Sequence, residues 1–461
     1  MTALTVVAGY GPGMTAADIA RALRPLLGDR LLRPDDDGYD GARRVWNAAV
    51  TSRPAAVARC RDAAEVAAVV RAAREARQPL SVRAGGHDWA GRAVRDGGVV
   101  VDLTGMRAVT VDAAAGVAVV AGGATGADLL AAAQPHGLAA VTGVEPGVGM
   151  AGFTTGGGYG PLIGRCGLGA DNLLSAEVVL ADGSIVTAGP DGDAELWWAL
   201  RGGGGNFGVV TSMQIRLQPV ALVLAGILMF PIAEAAAVLD GYAGIVADAP
   251  DELTVMTGFL PGPHGPTVFL CPVWCGDDLA AGERHVGRLR ALGHPFVDQV
   301  GPMPVAAAVG MFAGNAVAGN HYLLRSTWVP DLAGVAAEAL AAGAAAVSSP
   351  YSVLFVSRLH GAAARVDPAA TAFAHRRPHQ VIEMIAVWAP DDPAPQRHRE
   401  WAEATAEALA PVALPGAYPN QVGPDEDERA RASFGVNLAR VLAAKRQYDP
   451  AGIFSAIPGL L

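Results

Sequence analysis

Glycine is concentrated in three segments of the first half of the chain, at residues 83–88, 143–160 and 201–208. Glycine at this density cannot form a stable helix interior, so we predict that each segment is a loop lying against a flat ligand. Without Cβ atoms, Gly85 and Gly86 can adopt positive φ and present consecutive N–H groups, which form a concave site for anionic oxygens. The first loop therefore predicts a site for a pyrophosphate.

The first loop is preceded by a predicted helix and a predicted strand. Residues 62–65 begin an alanine-rich helical stretch that ends near Pro79, and residues 80–82 have strand character. No G-x-G-x-x-G opens a helix after this strand, so the loop is not a Rossmann fingerprint. Taken alone, the loop could also be a tight turn with a solvent-facing His87. The other two glycine loops favour a nucleotide cofactor with His87 beside it.

Size and charge exclude several classes of function. A chain of 461 residues is long enough for two or three domains and a large core. The formal net charge is −10 and no basic stripe is present, so we expect no nucleic-acid partner. No apolar stretch reaches transmembrane length without interruption, so we expect no membrane partner and a small molecule as substrate. Residues 1–10 lack the features of a secretory leader, and we therefore expect a cytoplasmic protein.

The four cysteines do not form a disulfide framework at this chain length. Cys271 and Cys275, with His264 nearby, raise the hypothesis of a metal site. Because a second pair of ligands is absent, we predict ordinary buried thiols and no metal.

The rest of the sequence predicts an α+β protein. Apolar segments within 99–121 and a hairpin at 173–188 indicate β-strands in the first half. From 221 to 412, apolar strands alternate with alanine-rich helices, as in a sheet with helices on one face. The last fifty residues, with a helix predicted at 430–447, do not extend that pattern.

In their order along the chain, these loops resemble those of the covalent FAD-linked oxidases that include the berberine bridge enzymes, within the vanillyl-alcohol-oxidase group. The matching segments are 41–47, 82–91, 156–160, 167–173, 198–211 and 445–454. The resemblance implies a two-part FAD-binding domain of the PCMH type, formed by residues 1–220 together with a C-terminal segment, 413–461. It also implies a substrate domain at 221–412, with an antiparallel sheet covered by helices.

The resemblance further implies a cofactor and the residues that hold it. The cofactor is FAD, and the implied binding residues are Arg83, Ala84, Gly85, Gly86, His87, Asp88, Gly149, Gly152, Gly157, Gly158, Gly160, Val209 and Asn437. The family's histidine, which bonds through its ring to the flavin 8α-methyl group, falls on His87. Many members have a second bond from a cysteine in a Gly-x-Cys-Pro run, but Glu145 stands at that position in this chain. Cys166 is the other candidate for a second bond; it aligns with an aromatic or polar position, so we expect a single histidyl link.

The chemistry that the resemblance implies is removal of a hydroxyl, phenol or amine proton while hydride leaves a substrate carbon for the flavin, after which O₂ is reduced to H₂O₂. Tyr418 matches the tyrosine of the family's Tyr-x-Asn segment and is one candidate base, with packing beside the flavin as the alternative role. Tyrosine titrates at about 10, so its neighbours would have to lower that pKa. Glu383 is the second candidate. It shares a strand face with Val381 and Ile385, which places it either in the pocket or on a solvated face of the sheet.

Three functions stay open at this point. The first is an oxidase of a small alcohol, phenol or amine that tailors a secondary metabolite. The second is a carbohydrate oxidase that forms a lactone, and the third is a flavoprotein that binds its ligand without turnover. Some members of the family are dehydrogenases that react slowly with O₂, so the oxidase activity is a prediction.

Overall fold

The first sheet has four strands and a buried core on both faces. The computed structural model describes residues 15–262 and 265–460. The strands of this sheet are β1 (Leu31–Leu32), β2 (Ala56–Arg59), β3 (Leu80–Arg83) and β4 (Val99–Asp102), in the order β1-β2-β4-β3. β2 and β3 both run parallel to β4, and Val99, Val100 and Val101 are fully buried, as expected for a central parallel strand.

A helix covers this sheet where the sequence predicted one. It spans Ala63–Glu75, and the side chain of Asp62 accepts a hydrogen bond from the backbone N–H of Glu65, which is the N-cap arrangement expected there. The chain then enters the strand Leu80–Arg83 and the first glycine loop. The predicted order of helix, strand and glycine loop is confirmed.

A second sheet of five antiparallel strands lies next along the chain. Its strands are β5 (Val109–Asp112), β6 (Val117–Ala121), β7 (Leu173–Val179), β8 (Ile185–Ala188) and β9 (Val209–Arg216), in the order β5-β6-β9-β7-β8. The β7–β8 hairpin turns at Asp182 and Gly183, as predicted. Val441, Ala444 and Tyr448 pack into the core of this sheet, so the end of the chain returns to it.

The third sheet has nine strands and a large helix-covered core on one face. Its strands are β10 (Leu222–Ala225), β11 (Leu228–Pro231), β12 (Leu253–Gly262), β13 (Gly265–Trp274), β14 (Val297–Asp298), β15 (Gly301–Pro304), β16 (His321–Val329), β17 (Val353–Leu359) and β18 (His379–Trp388). The main order is β14-β11-β13-β12-β17-β18-β16, and β10 pairs with both β13 and β15. On β18, Ile382 and Met384 belong to the core shared with the helices, whereas Val381 and Glu383 line a cavity on the opposite face.

Helices connect and cover the three sheets. They are α1 (Ala16–Leu27), α2 (Tyr39–Arg43), α3 (Ala63–Glu75), α4 (Gly126–Ala133), α5 (Met150–Thr155), α6 (Ile163–Cys166), α7 (Ala194–Leu200), α8 (Ala235–Ala247), α9 (Leu279–Arg290), α10 (Val305–Val309), α11 (Val335–Ala345), α12 (Ala362–Arg365), α13 (Gln396–Leu409), α14 (Asp427–Ala432) and α15 (Leu438–Tyr448). The α+β class and the PCMH-type arrangement are confirmed, while the domain boundaries at 220 and 412 stay predictions.

Two sequence-based predictions about helices are wrong. The segment 143–160 is not a continuous loop, because α5 lies within it; only one glycine, Gly152, falls inside that helix. The helix predicted at 430–447 is interrupted between α14 and α15, where Gly435 has a φ of 46° and breaks the helical path.

Two other predictions fall partly on residues that the structure does not describe. The leader region at 1–10 and His264 both lie outside the described ranges. Cys271 and Cys275 are free, buried thiols, and no cluster of three His, Cys, Asp or Glu side chains suited to a metal occurs within 15–262 and 265–460. Over the same ranges, no helix has both the length and the apolar character needed to cross a bilayer.

Candidate active site

One large cavity lies where the glycine loops meet the face of the nine-stranded sheet that is opposite α8, α11 and α13. The first glycine loop lines this cavity together with Glu383 on β18 and with Tyr418, which follows α13. Most of the residues predicted from the sequence line the cavity, namely Ala84, Gly85, Gly86, His87, Asp88, Gly149, Gly152, Gly160, Val209, Glu383 and Tyr418.

The first two glycine loops touch each other backbone to backbone. A Cβ atom on Gly85 would lie 2.3 Å from the backbone nitrogen of Gly149, and one on Gly149 would lie 2.4 Å from the nitrogen of Gly85. Gly86 has a φ of +71°, which favours glycine. No atom lies within 4 Å of the position that a Cβ on Gly152 would take, so this wall of the cavity is open to a ligand. The loops thus form a cradle that fits an extended dinucleotide such as FAD.

His87 lies in the cavity with its ring free to react. The imidazole stacks on Trp46, with ring centroids 5.1 Å apart and planes inclined by 16°. Burial lowers the pKa of His87 to about 4, so the ring is neutral at pH 7. None of the described residues makes a hydrogen bond to either ring nitrogen. A neutral, fixed and unpaired imidazole is suited to forming a bond with a flavin.

Glu145 lies close to His87, at the position where a second cysteine link would be. Its Oε1 atom accepts a hydrogen bond from the N–H of Gly147 at 3.1 Å, and burial raises its pKa. A Cβ on Gly147 would lie 3.1 Å from Nε2 of His87 and 3.3 Å from Oε1 of Glu145, so the two side chains face the same point. Cys166 does not line the cavity; it packs against the apolar cluster that includes Val141, Leu162 and Cys271, and burial raises its pKa to about 11.

Four residues predicted to bind the cofactor do not line the cavity. Arg83 turns away and donates a hydrogen bond to the carbonyl of Ala42. Asn437 donates to the carbonyls of Pro368 and Thr371, at 2.6 and 2.9 Å, and so fixes a loop of the chain. Gly157 and Gly158 are the other two predicted residues that do not line the cavity.

Glu383 faces the cavity, so the alternative of a solvated sheet face is wrong. It lies opposite Phe355 in the register of β17 and β18. Burial raises the pKa of Glu383 to about 7, against a smaller lowering by the side chain of Gln421. No ion pair with Glu383 occurs among the described residues. A carboxyl group with this pKa can exchange a proton near neutral pH.

Tyr418 is held by two hydrogen bonds to its hydroxyl oxygen. The backbone N–H of Gly158 donates at 2.9 Å and Nδ2 of Asn420 donates at 3.0 Å. Burial nevertheless raises the pKa of Tyr418 to about 12, so the hydroxyl keeps its proton at neutral pH. Because its oxygen already accepts two bonds, this hydroxyl is placed to donate a hydrogen bond into the cavity.

Two further residues, Tyr159 and Ser81, line the cavity. Tyr159 makes a 2.7 Å hydrogen bond to Nε2 of His379, whose Nδ1 lies 2.7 Å from the carbonyl of Arg377. Since a carbonyl only accepts, Nδ1 carries the proton and the Tyr159 hydroxyl donates to Nε2. Ser81 lines the cavity with a buried hydroxyl that has no partner. The place of Tyr159 in the second glycine loop makes it a candidate either for the cavity wall or for loop packing, whereas nothing in the local sequence distinguishes Ser81 from a core position.

Comparisons with known proteins give consistent results. A family model described as an FAD binding domain matches residues 54–189. The chain is 32% identical over 440 residues to (R)-6-hydroxynicotine oxidase of Paenarthrobacter nicotinovorans, covering 92% of this chain and 94% of that protein. The crystal structure of 6-hydroxy-D-nicotine oxidase from Arthrobacter nicotinovorans has a TM-score of 0.83 at 29% identity and covers 93% of this chain and 96% of its own. BBE-like 1 of Physcomitrella patens, 23% identical, has a TM-score of 0.86 over 95% of this chain and 99% of its own, and shares the fold.

Proposed function

Because this chain belongs to the FAD-linked oxidoreductases of the berberine bridge enzyme-like family, we propose that it is an oxidase of a small alcohol, phenol or amine, with FAD bonded to His87. When bound, FAD accepts two electrons from the substrate and passes them to O₂, which gives H₂O₂. The observation that carries the proposal is the carboxyl group of Glu383, which lines the same cavity as the glycine loops and whose pKa burial raises to about 7.

Glu383 is the proposed base. It takes the proton of a substrate hydroxyl or amine while hydride leaves the adjacent carbon, so the substrate loses two electrons and two hydrogens in total. The carboxyl group can perform this step because its pKa lies near neutrality. Tyr418 donates a hydrogen bond to the substrate and holds it against this base, a role that its pKa of about 12 favours over that of base.

The covalent bond is proposed at His87 alone. His87 would hold the flavin covalently through one ring nitrogen. The neutral state of the ring and its stacking on Trp46 support this role. Glu145 provides no sulfur for a second bond, and Cys166 lies outside the cavity.

The sheet side of the cavity combines apolar and polar side chains. Met256, Phe355 and Val381 line it beside Thr254, Ser357 and Arg358, which suits a substrate with an apolar ring and a polar substituent. Because Glu383 and Glu145 have no cationic partner among the described residues, we propose a substrate with an N–H or O–H donor, or a protonated amine. A role in tailoring a secondary metabolite is proposed from the family resemblance.

The test uses purified protein and a panel of substrates. We expect the acid-precipitated protein to stay yellow, and the His87→Ala variant to release its flavin into the supernatant. Anaerobic addition of hydroxylated cyclic amines, phenols or benzylic alcohols should bleach the flavin, and aerobic turnover should give one H₂O₂ per product. Bleaching by oligosaccharides alone would favour the carbohydrate oxidase, and binding without bleaching would favour a flavoprotein without turnover. A colourless protein that takes up no flavin would refute the proposal.

A further inference from the structure

Arg95 lines one end of the cavity without a carboxylate partner. Its Nη2 atom donates to the carbonyl oxygen of Ser455 at 2.7 Å and also to the hydroxyl of that residue. Within the described ranges, no Asp or Glu oxygen lies within ion-pair distance of Arg95, and its Nε and Nη1 atoms make no hydrogen bond. By contrast, the neighbouring Arg92 pairs with Asp88 at 2.9 Å.

The charge of Arg95 is therefore only partly compensated. Burial and the charge of Arg92 lower its pKa, and the charge of Asp88 offsets this lowering only in part. A guanidinium in such a place is stabilised when an anion binds, and its planar fork matches the oxygens of a phosphate.

The surroundings of Arg95 indicate which anion would bind. Ser455 and Ala456 also line the cavity, and a Cβ on Gly205 of the third glycine loop would lie 3.3 Å from the Cβ of Ala456. Arg95 is thus connected, through Ser455 and Ala456, to a glycine loop of the kind that approaches phosphates closely.

We propose that Arg95 is the charge partner of the phosphates of the bound dinucleotide. This inference rests on the proposed function, because it takes FAD as the ligand. Arg95 is then a positioning residue of the cofactor site. Ser455 holds one edge of its guanidinium, and the other edge binds phosphate.

The test measures reversible flavin binding in the His87→Ala background. Titration with FAD and with riboflavin, followed by flavin fluorescence, compares Arg95 with Arg95→Met and Arg95→Lys. We expect Arg95→Met to weaken FAD binding by about ten- to a hundredfold and to leave riboflavin binding within about twofold, with Arg95→Lys between the two. Arg284→Met, at an exposed position on α9, is the control and should change neither.

Competition separates a phosphate contact from an adenine contact. Inorganic pyrophosphate should compete with FAD about tenfold less well in Arg95→Met, whereas competition by adenosine should not change. If adenosine competition weakens instead, or if FAD and riboflavin weaken equally, the proposal is wrong. If the His87→Ala protein with an intact Arg95 binds neither flavin, the proposed function fails rather than the role of Arg95.

Discussion

Replacing Glu383 with glutamine should stabilise the protein at alkaline pH even as it impairs catalysis. Burial raises the pKa of this carboxyl group from 4.5 to about 7, so the folded protein binds a proton that the unfolded chain has already released. As pH rises between the two pKa values, the free energy of unfolding loses the contribution of protonated Glu383. At about 1.4 kcal/mol for each pKa unit, the loss between pH 5 and pH 8 is roughly 2 to 3 kcal/mol. Glutamine has nearly the same shape and does not ionise, so the variant escapes this loss.

Urea unfolding at pH 5 and pH 8 measures this difference. The free energy of unfolding of Glu383→Gln, relative to the unsubstituted protein, should become more favourable by roughly 2 to 3 kcal/mol at the higher pH. Glu400→Gln, at an exposed position on α13, removes one carboxylate from the surface and is the matched control. A difference that is the same at both pH values would show that Glu383 ionises in the folded protein without cost, and the reasoning about the base would fail.

Two further predictions concern how the site is built. Lys445→Met should lower the free energy of unfolding by about 3 to 5 kcal/mol, because the buried Asp449 carboxylate then lacks the cation that lies 2.5 Å away. Combining Lys445→Met with Asp449→Asn should recover part of that loss, and urea unfolding measures both variants. Gly85→Ala should lower the flavin absorbance per protein more than Gly152→Ala does, since a Cβ on Gly85 meets backbone at 2.3 Å while one on Gly152 meets no protein atom within 4 Å; equal losses would contradict the cradle.

The sequence predicted those parts of the site that glycine and histidine mark. The backbones of Gly85 and Gly149 approach so closely that neither position has room for a Cβ atom. This need for glycine can be read from the sequence as a high local density of glycine. His87 follows such a run directly, so its place beside the cofactor loop could be predicted. The alternation along the strand predicted that Glu383 lies either in the pocket or on a solvated face of the sheet. Tertiary packing decides between these two positions.

Other parts of the site depend on contacts between distant segments. The side chain of Arg83 belongs to the first loop in sequence, yet the end of β3 directs it to the carbonyl of Ala42. The resemblance implies that Asn437 binds the cofactor, but its side chain donates to the backbone carbonyls of Pro368 and Thr371. The hydrogen bond between Tyr159 and His379 joins residues 220 positions apart, so no local sequence pattern predicts it.

The cavity wall contributed by Phe454, Ser455, Ala456 and Ile457 has a consequence for biosynthesis. These four residues must be synthesised before the cavity can enclose a ligand. Lys445 then holds this segment in place by donating hydrogen bonds to the carbonyls of Asn206 and Phe454. A nascent chain stalled upstream of α15 would therefore hold its glycine loops without this wall of the cavity.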